Sequence, residues 1–159
     1  MLRATEVIGG SASGAPAAAD TLSLTHGDRH LRRKVLTLES GVDVLVDLAS
    51  AHRLRHGDRL LLDNGRAIEI AAAAEDLMQV TTSGAPSLAV LAWQIGNRHL
   101  PAQIDEDRIL IERDHVIREM LEGLGAHVSN VTEAFHPEGG AYEHGHGHHA
   151  YSHGHGEGT

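Results

Sequence analysis

Residues 77–96 read L-M-Q-V-T-T-S-G-A-P-S-L-A-V-L-A-W-Q-I-G, and the change of pattern inside this stretch decides the fold. Leu77 to Thr82 is short and β-prone. From Leu88 onward, Leu88, Leu91, Ala92 and Ile95 recur at the spacing of one helix face. Pro86 suits the first turn of that helix and Gly96 its end. Downstream, Pro101 holds Leu100 extended, and Pro101 to Ile104 begins a strand. Asp105-Glu106-Asp107 turns it, and Arg108 to Glu112 returns. Asp114 is an N-cap for a second helix whose inner face carries Val116, Ile117, Met120, Leu121 and Leu124, closed by Gly125. His127 to Thr132 is a last strand. The order βαββαβ is the ferredoxin-like one, and it predicts a four-stranded antiparallel sheet with both helices on one side.

Upstream the period changes to that of strands. Val35, Leu36 and Leu38 precede a turn at Glu39-Ser40-Gly41; Val42, Val44 and Val46 then alternate with Asp43, Leu45 and Asp47. Leu60 to Leu62 run into Asp63-Asn64-Gly65-Arg66, with Ile68 and Ile70 beyond. Asn-Gly between β-prone runs is a strong hairpin signal. Strands over 21–80 at this spacing predict a small barrel or sandwich. Residues 9–20, rich in Gly, Ala and Ser, read as a flexible surface excursion without a phosphate-loop signature. The whole is α+β: an all-β domain over 1–75, a ferredoxin-like domain over 76–135 and a disordered tail over 136–159.

Composition narrows the function. The 159 residues carry a net charge of −9 and only 3% aromatics, which argues against nucleic-acid or anionic-membrane partners. The chain has no cysteine, so disulfides, thiolate zinc sites and iron–sulfur clusters are excluded. No stretch approaches a membrane-spanning length and no secretory signal opens the chain, so a cytoplasmic protein is expected. No carboxylate pair, nucleophile motif or Glu-bearing zinc helix points to an enzyme.

Histidine supplies the remaining chemistry. Half of the fourteen histidines lie from residue 136 onward: His136, His144, His146, His148, His149, His153 and His155, interleaved with glycine. Such a segment has little to bury and reads as a mobile arm. Neutral imidazoles bind nickel, copper, zinc and cobalt, and glycine lets several rings meet one ion. A purification tag would be an uninterrupted run; incidental metal binding is the other reading. A Gly-rich arm of about sixteen residues spans roughly 20–24 Å and presents its rings at an effective concentration of order millimolar. The pairs His26/His30 and His52/His56 sit beside turn residues and read as surface histidines, and Arg32-Arg33-Lys34 as a solvated strand edge. His99 and His115, taken singly, read as surface or capping residues. On the axis of a twofold dimer such a histidine would meet its own copy.

Three ordered motifs, G-N-R-H-L-P-A-Q (96–103), I-E-R-D-H-V (111–116) and E-A-F-H-P-E-G-G-A-Y (133–142), make the chain resemble the urease accessory protein E family of nickel metallochaperones. The resemblance runs from about residue 21 to the C-terminus. It implies a β domain that binds peptide or partner protein, and a metal domain that dimerises. It implies that His99, supported by Gly96, Asn97 and Arg98, binds Ni²⁺ where two subunits meet, with His115 a weaker candidate. Some members carry a second histidine where this chain has Arg113. The expected cargo is Ni²⁺, with Zn²⁺ or Cu²⁺ competing. The expected partners are a second copy, a dimer of dimers when metal is bound, the urease accessory GTPase and apo-urease. A passive nickel or zinc buffer is the alternative.

Overall fold

The computed structural model describes residues 1–139; the expectations for His144, His146, His148, His149, His153 and His155 fall outside them. The element order is β1 (Leu2–Ile8), β2 (Ala18–Leu24), β3 (His30–Thr37), β4 (Asp43–Arg53), β5 (Arg59–Leu62), β6 (Ala67–Ala72), β7 (Ala74–Thr81), α1 (Leu88–Gly96), β8 (Ala102–Ile104), β9 (Ile109–Glu112), α2 (His115–Gly123) and β10 (His127–Ala134).

The first six strands form one sheet in the order β2-β6-β5-β1-β4-β3. It is a half-barrel sheet, where the strand spacing suggests a small barrel or sandwich. Alternation explains the curl. Val44, Val46, Leu60, Leu62, Ile68 and Ile70 point to one side and share a single core with Leu22, Leu24, Leu31 and Leu36 from the two edge strands. Burying one such aliphatic side chain contributes about 1.5–3 kcal/mol. The expected hairpins are present: Gly65 has φ 82° and Gly41 φ 83°, backbone that favours glycine. Two parallel pairings, β1 with β4 and β2 with β6, complete the sheet.

The excursion expected over 9–20 needs correction at both ends. Its last residues are already in β2. At its start, a Cβ on Gly10 would lie 2.6 Å from the Gly57 carbonyl oxygen, so only glycine fits against that turn. The Gly10 N–H also donates to Asp58 Oδ1 at 3.2 Å.

The second sheet has the order β10-β7-β9-β8, every neighbour antiparallel. This is the four-stranded sheet that the βαββαβ pattern predicts. On one face Met78, Val80, Ile109 and Ile111 pack with Leu91 and Ile95 of α1 and Ile117 and Leu121 of α2. On the other, Leu77 and Leu110 pack with the fully buried Phe135. Asp114 caps α2, accepting from the Val116 and Ile117 N–H groups at 2.9 and 3.1 Å. Ser87, not a first-turn proline, caps α1; Pro86 precedes the cap and closes a cis peptide with Ala85.

Candidate metal centre

His99 follows α1 in a tight turn, its N–H donating to the Gly96 carbonyl at 3.0 Å. Its φ of 57° is the only positive value at a non-glycine among the described residues. The left-handed region costs a Cβ-bearing residue about 1 kcal/mol or more, and such strain concentrates at functional positions. The side chain is exposed. Nearby, α1 presents Val90 and Trp93 to solvent, at 47% and 64% exposure.

His115 is the first residue of α2 and is also exposed. Arg113, two positions before His115, works structurally. Its Nε donates to the Leu77 carbonyl at 3.1 Å and its Nη2 to that of Val131 at 3.2 Å, tying β9 across β7 to β10.

His136 lies where the extension leaves the body. Its backbone N–H donates to Gln103 Oε1 at 2.9 Å, and that of Glu138 to the Ala102 carbonyl at 2.7 Å. The root of the histidine-rich extension thus runs along β8, the strand that follows His99. Lost water around the ring, then the charges of Arg29 and His56, hold the His136 pKa below its ordinary 6.5. Its neutral, ligating form therefore persists to lower pH than that of an isolated imidazole. The same two neighbours also disfavour a metal cation at this ring.

Among the described residues, no three His, Asp or Glu side chains converge into a metal-binding group. His99, His115 and His136 therefore do not form such a group within one chain.

Several residues that join the two halves left little trace in the sequence. His26 is not a simple surface histidine. Its Nδ1 faces Glu75 at 3.4 Å, its Nε2 faces Glu112 at 3.5 Å, and the ring meets Phe135 edge-on at 5.0 Å. Arg29 is 4% exposed and donates to the carbonyls of Leu24 and Phe135. Burial lowers its pKa, Glu75 opposes that shift and Arg53 adds to it, yet a guanidinium stays charged. Only the folded chain brings these partners together, so a lone arginine in a turn gives no signal. Among the described residues, no helix is long and apolar enough to cross a membrane.

Two family models divide the chain between them. The N-terminal domain of the UreE urease accessory protein matches residues 4–73 and its C-terminal domain matches residues 75–158. The half-barrel sheet followed by a two-helix α/β sheet is the architecture of a two-domain urease accessory protein. The urease accessory protein UreE of Chelativorans sp. (strain BNC1) is 52% identical over 147 residues, which cover 92% of this chain and 90% of that one. That of Rhizobium meliloti (strain 1021) is 52% identical over 146 residues, 91% and 94% of the two chains. The urease accessory protein UreE 1 of Brucella suis biovar 1 is 56% identical over 128 residues, 80% and 79% of the two. The chain belongs to the UreE urease accessory protein family, consistent with a part in urease maturation.

Proposed function

We propose that the chain is a nickel-binding metallochaperone that delivers Ni²⁺ during assembly of the urease metal centre. The observation that carries this is the course of the extension: Glu138 is bonded to Ala102, so the histidine-rich segment starts beside the strand that follows His99. Imidazoles of the tail capture the ion, and His99 from each of two copies holds it on the dimer axis. His115 is a secondary ligand, and His136 joins where the Arg29 charge permits. Few ligands and no thiolate keep the hold moderate, as release to an acceptor requires. Zn²⁺ and Cu²⁺ compete.

In this reading residues 1–75 meet the partner protein. Residues 76–135, a ferredoxin-like unit, dimerise and hold metal, and residues 136–159 collect it. The partners are the urease accessory GTPase and apo-urease, in the cytoplasm, with metal able to pair dimers. The chain transfers an ion and catalyses no reaction.

Equilibrium dialysis with Ni²⁺ tests the division of labour. His99→Ala removes the tightest site, and truncation after Gly139 removes the weaker ones. Loss of the tightest site on truncation alone would place the holding site in the tail and overturn the proposal. Delivery is tested separately, by capture of the urease accessory GTPase and apo-urease on the immobilised chain; a passive buffer captures neither.

A further inference from the structure

Gln103 closes the stretch G-N-R-H-L-P-A-Q, four residues beyond His99. It stands on β8, an edge of the second sheet, and its half-buried side chain meets the chain just past Phe135. Three bonds hold that chain in succession. The Phe135 carbonyl accepts from Arg29 Nη2. The His136 N–H donates to Gln103 Oε1 at 2.9 Å. The Glu138 N–H donates to the Ala102 carbonyl at 2.7 Å. Between the second bond and the third, the chain advances from His136 to Glu138 while its partner steps back from Gln103 to Ala102. The root of the extension therefore runs against the direction of β8, towards Leu100 and the His99 turn.

A backbone carbonyl such as that of Ala102 is present whatever the residue. The Gln103 bond needs one side chain turned one way, because only the amide oxygen can accept; the amide nitrogen would face the His136 N–H donor to donor. Asp105 fixes the turn. Gln103 Nε2 donates to Asp105 Oδ1 and Oδ2 at 3.2 and 3.1 Å, and a carboxylate only accepts. Asp105 is held in turn by Arg108, whose Nε donates to Oδ2 at 2.8 Å. Arg108 is itself pinned. Its Nη1 and Nη2 donate to the two Glu133 oxygens at 3.0 and 2.6 Å, and Nη1 also reaches Gln79 Oε1 at 3.1 Å. Glu133 belongs to β10 and Gln79 to β7. Two-point bonds between guanidinium and carboxylate are both strong and directional. Order passes in this way from the sheet to a single amide oxygen at its edge.

We propose that Gln103 is a positioning residue. Its amide, aimed by Asp105 and Arg108, steers the root of the histidine-rich extension along β8 towards His99. The role rests on the proposed capture of nickel by the extension and its holding by His99. Under that reading, steering raises the effective concentration of extension imidazoles at His99 and speeds loading of the holding site.

The chain has no cysteine, so Gly139→Cys places a nitroxide at one exposed position of the full-length, metal-free protein. Proton relaxation enhancement at the Asn97, Arg98 and His99 amides then reads how closely the root keeps to that turn. Gln103→Ala should lower it by about two-fold or more, the scale of losing one hydrogen bond. Gln103→Glu should lower it too, because two carboxylates would face each other. Combining Gln103→Glu with Asp105→Asn reverses the amide and carboxylate and should restore it. The introduced amide still accepts from Arg108 Nε and donates to the introduced carboxylate, which accepts the His136 N–H. Stopped-flow loading of the tightest site with Ni²⁺ in the unlabelled proteins should slow by about two-fold or more in Gln103→Ala and recover in the reversed pair. An unchanged enhancement in Gln103→Ala, no recovery in the reversed pair, or an unchanged loading rate would overturn the positioning role. Failure of the nickel reading has another signature: the tightest site survives His99→Ala, while the enhancement still falls with Gln103→Ala.

Discussion

His99 carries the left-handed backbone that a glycine would adopt freely, with φ 57°. A side chain kept at such a position is kept for what the ring does. His99→Gly should therefore leave thermal stability unchanged or raise it by up to about 1 kcal/mol, while the tightest nickel site disappears. Denaturant melts and dialysis together check this; a loss of more than about 1 kcal/mol would mean the imidazole packs structurally. His136 behaves differently, because burial, Arg29 and His56 depress its pKa. In the folded state it stays neutral while the unfolded chain takes up a proton. Its stabilising contribution is thus complete above the ordinary value of 6.5 and is lost as pH falls through the depressed folded value. NMR titration should place its midpoint below that of an unperturbed histidine, and His136→Asn should flatten the fall of Tm over that acidic window.

At the scale of elements, legibility followed locality. Turns, caps and helix faces in the second half are encoded within a few residues: Asp114 and its two bonded N–H groups lie side by side in the chain. Asp114→Ala should cost about 1 kcal/mol, read from thermal or urea melts, and should loosen the start of α2 where His115 sits. The half-barrel was harder to read. Its strand order depends on β1 pairing with β4 and β2 with β6, both parallel and far apart in sequence, and nothing local announces them. In the sequence Gly10 reads as part of a loop, because its role is a close approach to Gly57, forty-odd positions away. Of the candidate site, His99, His115 and His136 could be picked out by residue type and motif. His26 and Arg29 could not, since their chemistry comes from Glu75, Glu112 and Phe135 after folding.

For the molecule as a whole, Val90 and the single tryptophan, Trp93, leave an apolar stripe of α1 in water close to the His99 turn. A second copy laid there would cover it and bring two His99 rings together. Trp93→Glu should shift the protein towards monomer in sedimentation and weaken the tightest nickel site in parallel, and the unmutated protein should show a concentration-dependent blue shift of its tryptophan emission. A Trp93→Glu protein that stays dimeric would move the interface elsewhere. Arg29 adds a further point. By gripping Leu24 on one side and Phe135 on the other, it nails the origin of the last two dozen residues to the N-terminal half. The point from which the chain continues beyond Phe135 is therefore set by a half that contributes no proposed nickel ligand, so under the proposed delivery role replacements around Leu24 or Arg29 should impair hand-off of the ion while every ligand stays intact.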